Sequence, residues 1–266
     1  MTLSVLISVY FKDNSKHLHL ALNSIWSDQV YRPDEIIIVK DGPLTNELNN
    51  VIENFSEIAP VFIFSLKRNL GLGEALKFGL SKCTNPYVAR MDADDISYPN
   101  RFLNQMNFLK SNPNIDIVGS WINEFINVKE NTVSVRKVPT KHNDIVNFLK
   151  FRSPFNHPSV IFKKQSVIDS GNYIDLYLKE DEYLWIRMRN CNMKFANLPE
   201  CLLYFRLSAL TNFKRGGVKL AKSELKLFQE RFKKNNINLI EYIIFCSIKI
   251  IFRLSPKFIR SFFYKS

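Results

Sequence analysis

A chain of 266 residues, 46% hydrophobic and 23% charged, is long enough to bury a sizeable core; with only 8 glycines and 11 prolines it contains no flexible linker and no low-complexity tract. Its four cysteines, Cys83, Cys191, Cys201 and Cys246, stand far apart with no C-x-x-C pair, which speaks against a zinc site or a disulfide framework and fits a reducing compartment. The net charge of +12 is uneven: residues 1–200 hold 23 Lys/Arg against 22 Asp/Glu, whereas residues 201–266 hold 14 against 3, or +11.

The first apolar run, Val5–Tyr10, follows no basic stretch and is too short for a signal peptide, so a cytoplasmic location is expected. Behind it Leu18, Ala21, Leu22 and Ile25 recur at the spacing of an amphipathic helix. Ile36–Val39 followed by Leu48, Val51, Ile52 and Phe55 repeats the pattern. Val61–Leu66 with Leu72, Leu76 and Leu80 makes a third unit, and Tyr87–Met91 with Phe102, Leu103, Met106 and Leu109 a fourth. Such alternation predicts an α/β, Rossmann-like, mostly parallel sheet flanked by helices, because each right-handed crossover needs a helix to span it. Ligands of such sheets lie at the carboxyl ends of the strands, here Tyr10, Asp41, Arg68–Asn69 and Asp92–Asp95.

From residue 116 the order loosens into expected strands at 117–122, 133–138 and 160–162 and a short helix at about 143–150, which reads as an α+β half. Leu239–Phe252 is apolar but for Glu241, Ser247 and Lys249; it falls short of the ~20 residues needed to span a bilayer and suits an interfacial helix. The expected organisation is a domain over 1–210, divided into halves at 1–110 and 111–210, and a basic helical C-terminal extension over 211–266.

The most informative segment is Met91-Asp92-Ala93-Asp94-Asp95, where three carboxylates in four positions close the fourth strand. Such a cluster repels itself unless something cationic lies against it. A hard divalent ion, Mg2+ or Mn2+, takes one or two carboxylates and completes its shell with phosphate and water oxygens, a task that suits Asp92 and Asp94. The competing assignment is a helix cap or a solvated turn before Pro99.

In its ordered motifs the chain resembles the family 2 glycosyltransferases of GT-A fold. The likeness rests on S-V-L-I-S-V-Y at Ser4–Tyr10, I-I-I-V-K-D-G at Ile36–Gly42, R-N-L-G-L at Arg68–Leu72 and M-D-A-D-D at Met91–Asp95. It continues through Pro99 and Arg101, I-V-G-S at Ile117–Ser120, N-H-P-S-V at Asn156–Val160 and E-D-E-Y-L-W-I-R at Glu180–Arg187, covering roughly residues 1–210.

The resemblance implies an inverting hexosyltransferase of bacterial surface polysaccharide (O-antigen or capsule) synthesis. It would take a UDP-sugar donor, UDP-galactose first, and a glycan or lipid-diphosphate-linked acceptor. It assigns Tyr10, Asp41, Arg68, Asn69, Gly71, Arg90, Asp92 and Ala93 to the nucleotide sugar, and Asp94 with Asp92 to Mn2+ or Mg2+. Asp181 is implied as the base that takes the acceptor proton; its place in the first turn of a helix would equally suit a carboxylate stabilising the helix N-terminus. His157, Glu180, Asp95, Trp121, Arg206 and Arg215 are implied as acceptor-binding or supporting residues, with Trp121 open between core and sugar platform. Glu182-Tyr183 departs from the family's usual Tyr-Asp at this point. The basic extension points to peripheral contact with an anionic membrane at its inner face and not to nucleic acid. Readings from other classes are a nucleic-acid-binding module and a nucleotidyltransferase; the latter needs a glycine-rich loop after the first strand, where Tyr10–Asn14 has no glycine.

Overall fold

The computed structural model describes residues 1–207 and 217–255. Four strands and four helices alternate at the start: β1 Leu3–Val9, α1 Ser15–Ile25, β2 Glu35–Lys40, α2 Asn46–Ser56, β3 Val61–Ser65, α3 Leu72–Lys82, β4 Tyr87–Met91 and, after the two-residue β5 Ile96–Ser97, α4 Arg101–Ser111. Local signals start two of the helices: the Asn14 side chain accepts the Lys16 and His17 N–H groups at 3.0 and 3.2 Å, and Thr45 accepts that of Leu48.

The second half contributes β6 Ile117–Phe125, β7 Thr132–Arg136, α5 His142–Phe148, β8 Ile161–Lys163, α6 Lys164–Asp169, α7 Glu180–Asn190 and β9 Phe195–Arg206. All nine strands form one sheet in the order β3-β2-β1-β4-β8-β6-β9-β5, with β7 hydrogen-bonded to β6. Strands β1 to β4 are mutually parallel; β8 runs antiparallel to both β4 and β6. Side-chain alternation along β1 divides the core between the two faces of the sheet. Val5, Ile7 and Val9 pack with Leu22, Ile52 and Phe102 from α1, α2 and α4, whereas Leu6 packs with Leu76, Ile145 and Trp185 from α3, α5 and α7.

The four predicted strand–helix units are present, and the three later strands fall within two or three residues of their expected positions. The long strand β9 was not foreseen. It pairs parallel with β6, and its far end pairs antiparallel with β5, Ile96 opposite Tyr204. Residues 92–95 therefore bridge the parallel strands and the distal edge of the same sheet.

Beyond the sheet lie α8 Val218–Lys233 and α9 Leu239–Leu254, packed against each other. Glu224, 2% exposed, accepts two hydrogen bonds from Arg253 at 2.9 and 2.8 Å and lies within 3.7 Å of both Lys179 and Lys249. Arg231, 1% exposed, donates to Glu182 at 2.5 Å and to the Leu149 carbonyl at 3.0 Å. Three of the basic residues counted in the extension thus face inward. Removing one member of a buried ion network leaves its partners charged and unpaired, at a cost of about 3 kcal/mol or more. Glu224→Ala should lower the free energy of urea unfolding by about that amount, read by far-UV circular dichroism.

Candidate active site

The end of β2 and the turn after β3 are locked together. Asp41, 3% exposed, accepts the Leu70 and Gly71 backbone N–H groups at 2.7 and 3.1 Å, while the Asn69 side-chain amide donates to the Asp41 carbonyl at 3.3 Å. Gly42 has φ +87°, and a Cβ there would lie 2.6 Å from the Asn69 nitrogen, so only glycine fits. Arg68 and Asn69 are exposed on this rim. Tyr10, half-buried, closes the adjacent turn by donating its N–H to Asp13 at 2.9 Å.

At the end of β4 the chain turns inward charges toward one another. Arg90 is 2% exposed and ion-paired with Asp92, yet its Nε and Nη1 have no partner among the described residues. The ligand oxygens of Asp92, Asp94 and Asp95 lie within 4.8 Å of one another. Burial, and then the charge of Asp92, push the Asp94 carboxyl up to about 6; burial and both neighbours push Asp95 well above its usual range. Asp95 Oδ1 accepts the Arg206 N–H at 2.9 Å, while its Oδ2 has no partner among the described residues. Arg206 also donates from Nε to the Asp94 carbonyl at 2.8 Å and lies 4.5 Å over the Phe125 ring. Ala93 is buried in the core beneath this turn. Asn100, at the start of α4, makes no side-chain cap, and the acids take none of that helix's hydrogen bonds, so the helix-cap alternative fails.

The third wall is the start of α7. Gly73 approaches so closely that a Cβ would lie 3.0 Å from Asp175 Cα and 3.5 Å from Glu180 Cβ, joining α3 to α7. Burial, and then Asp181, push the Glu180 carboxyl up to about 7; burial and Glu182 raise Asp181. His157 sits 3.1 Å from the Tyr173 hydroxyl, and burial together with the Arg90 charge hold its imidazole well below the usual range, hence neutral. The positive charge of Arg90 opposes the upward shifts of Asp94, Asp95, Tyr173, Glu180 and Asp181 and adds to the lowering of His157.

The fold therefore gathers Arg90, Asp92, Asp94, Asp95, Arg206, His157, Glu180 and Asp181 into one electrostatic cluster, with Tyr10, Asp41, Arg68, Asn69 and Gly71 on the neighbouring strand ends. Trp121 is occupied elsewhere: its indole N–H donates to the Val138 carbonyl at 2.9 Å and Lys137 lies 5.0 Å over its ring. Arg215 lies outside the described residues. The sequence reading passed over Tyr173, Asp175, Gln105 and the inward role of Arg101. The fully buried Arg101 donates to the Arg90 carbonyl at 2.8 Å and to Gln105 at 3.2 Å, and burial, then the charge of Arg90, push its pKa down to about 9. The signal for it was available: Arg101 and Gln105 are one helical turn apart, beside the core residues Phe102 and Met106.

Three oxygen-donor carboxylates, one with a buried unpartnered oxygen, fit a hard divalent cation. The unpaired Arg90 N–H groups add a fixed anion-binding element. At the α7 start, burial holds the Glu180 and Asp181 carboxyls above their usual range.

A family model described as glycosyl transferase family 2 matches residues 4–170. The chain is 39% identical over 262 residues to the UDP-Gal:alpha-D-GlcNAc-diphosphoundecaprenol beta-1,3-galactosyltransferase of Escherichia coli, covering 98% of this chain and 94% of the relative. It is 35% identical, over 98% of this chain and 97% of the relative, to the amylovoran biosynthesis glycosyltransferase AmsE of Erwinia amylovora. Among solved structures it is similar to S. aureus TarS, with a TM-score of 0.68 at 17% identity, covering 96% of this chain and 44% of TarS.

The raised pKa of Asp94 has a thermodynamic sign. An acid whose folded pKa lies above its unfolded one binds protons more tightly when folded, so stability falls as pH rises from about 4 to about 6. Asp94→Asn should therefore raise the Tm of the chelator-treated protein at pH 7.5, by a few degrees, and the gain should shrink toward pH 4.5.

Proposed function

The chain belongs to glycosyl transferase family 2 and has its GT-A fold, and on that premise we propose that it is a metal-dependent, inverting hexosyltransferase. The donor is a UDP-hexose, UDP-galactose first, and the acceptor a sugar hydroxyl on a lipid-linked diphosphate at the inner face of a bacterial membrane, in O-antigen or capsule synthesis. The observation that carries the reading is the acidic turn at the end of β4, in which Asp92 pairs with the buried Arg90 and the ligand oxygens of Asp92, Asp94 and Asp95 converge. The donor and acceptor classes are supported by the E. coli galactosyltransferase, similar along nearly the whole chain.

In this mechanism Tyr10, Asp41, Arg68, Asn69 and Gly71 form the nucleotide end of the donor site. Mg2+ or Mn2+ held by Asp94 and Asp92 would neutralise the diphosphate leaving group as charge develops on it. The buried guanidinium of Arg90, whose Nε and Nη1 have no partner among the described residues, supplies a fixed positive charge beside that acidic turn. Asp95 and Arg206 hold the acidic turn to β9. Asp181 takes the proton from the acceptor hydroxyl, and its raised pKa makes it a better acceptor than an ordinary surface carboxylate. His157, neutral and hydrogen-bonded to Tyr173, orients the acceptor with Glu180. One displacement with one base inverts the anomeric carbon.

Calorimetry with Mn2+ and UDP should show binding to the wild type that is lost when Asp92 and Asp94 are both replaced by alanine; heat retained in that variant would overturn the metal assignment. Asp181→Asn should keep UDP binding while transfer falls ~100-fold or more, and turnover near that of the wild type would remove the base from Asp181.

A further inference from the structure

Helix α9 has two unlike sides. On one, Cys246 is buried with Phe228 and Ile237, Tyr242 and Phe245 pack beside it, and Arg253 and Lys249 reach Glu224. The other side, traced at about 100° per residue, carries Ile240, Ile243, Ile244, Ile248, Ile251 and Leu254, all between 47% and 70% exposed. This half of the cylinder contains no charged residue; Glu241 stands at its margin, held in the Asn238 capping box. A row of large aliphatic side chains facing water needs a partner.

We propose that this face is a docking surface for an anionic lipid bilayer, with α9 lying in the interface plane. The helix has 16 residues, about 24 Å, and no helix among the described residues is long and apolar enough to cross a membrane. The exposed face is aliphatic but for Ser247, without the Trp, Tyr or Arg anchors that dominate protein–protein interfaces. Charge supports the same occupant: of the 14 basic residues in 201–266, Arg206, Arg231, Lys249 and Arg253 are held inward, the other basic residues still outnumber the 3 acids, and no acid follows Glu241. The sequence after α9 contains Lys257, Arg260 and Lys265 among Phe258, Phe262, Phe263 and Tyr264, the aromatic and basic mixture favoured at membrane surfaces. The inward side of α9, fixed by Arg253 and Glu224, is joined through Lys179 to the start of α7, so docking would set the orientation of the cleft toward the bilayer. The proposal rests on the glycosyltransferase reading only in taking the acceptor's membrane as the partner.

The test is co-sedimentation of the full chain with vesicles of phosphatidylethanolamine and phosphatidylglycerol, comparing the wild type with I240N/I244N/I251N and with I240L/I244L/I251L. The asparagine variant is expected to lose vesicle binding by ~10-fold or more while the leucine variant keeps it. Transfer from UDP-galactose to a short-chain, water-soluble acceptor should be unchanged in both, because none of these residues lines the cleft. Equal sedimentation of all three proteins, or no binding by the wild type, would overturn the proposal. So would a concentration-dependent dimer of the wild type in analytical ultracentrifugation that the asparagine variant lacks, because a second copy would then occupy the face. Absence of transfer by the wild type, with vesicle binding intact, would instead fail the enzymatic reading and leave the docking face standing.

Discussion

Placing a guanidinium inside a protein costs several kcal/mol unless carboxylates and hydrogen bonds offset it. Arg90 is buried and ion-paired with Asp92, and its Nε and Nη1 have no partner among the described residues. Much of the surrounding architecture is understandable as support for that charge. Arg101 holds the Arg90 carbonyl, and Asp95 is tied to the Arg206 backbone. The cation lowers each carboxyl's tendency to hold a proton, while burial and mutual repulsion raise it; burial prevails and the carboxyls are pushed up. A cluster left in this state favours an incoming cation on the acidic side and an incoming anion beside Arg90, which is the charge pattern of a metal-bound diphosphate.

The same logic explains the departure at Glu182-Tyr183. Glu182 is buried and held by Lys179 at 2.7 Å and Arg231 at 2.5 Å, and those two cations, opposing its burial, keep its pKa down to about 2. It is ionised throughout the physiological range, one residue from Asp181, whose pKa it helps to raise. The two C-terminal helices therefore complete the charge balance of α7 and are part of its packing.

How far these features could be read in advance depended on the kind of interaction. The four strand–helix units were legible because hydrophobic periodicity records burial directly, and the acidic turn was legible because repelling carboxylates need an explanation. Strand β9 was not: Pro199 and Glu200 interrupt its alternation, and its register against β6 shifts on either side of Trp121. Arg90 was expected at the nucleotide sugar only through the family resemblance, since periodicity gives a charge in an apolar strand no purpose; its burial and its ion pair with Asp92 could not be read from the strand pattern. The inward turn of Arg231 and Arg253 was likewise hidden, since a basic count does not tell a solvated lysine from a buried arginine.

The tight contact at Gly42 links these parts mechanically. Any side chain there would push the Asn69 backbone, and with it Leu70 and Gly71, away from Asp41. Gly71 begins α3, and two residues later Gly73 rests against Asp175 and Glu180. A single added methyl group would thus be felt in succession at the turn of residues 68–71, the first turn of α3 and the start of α7. Divergence in this scaffold can therefore alter the spacing between these three segments from a single glycine position.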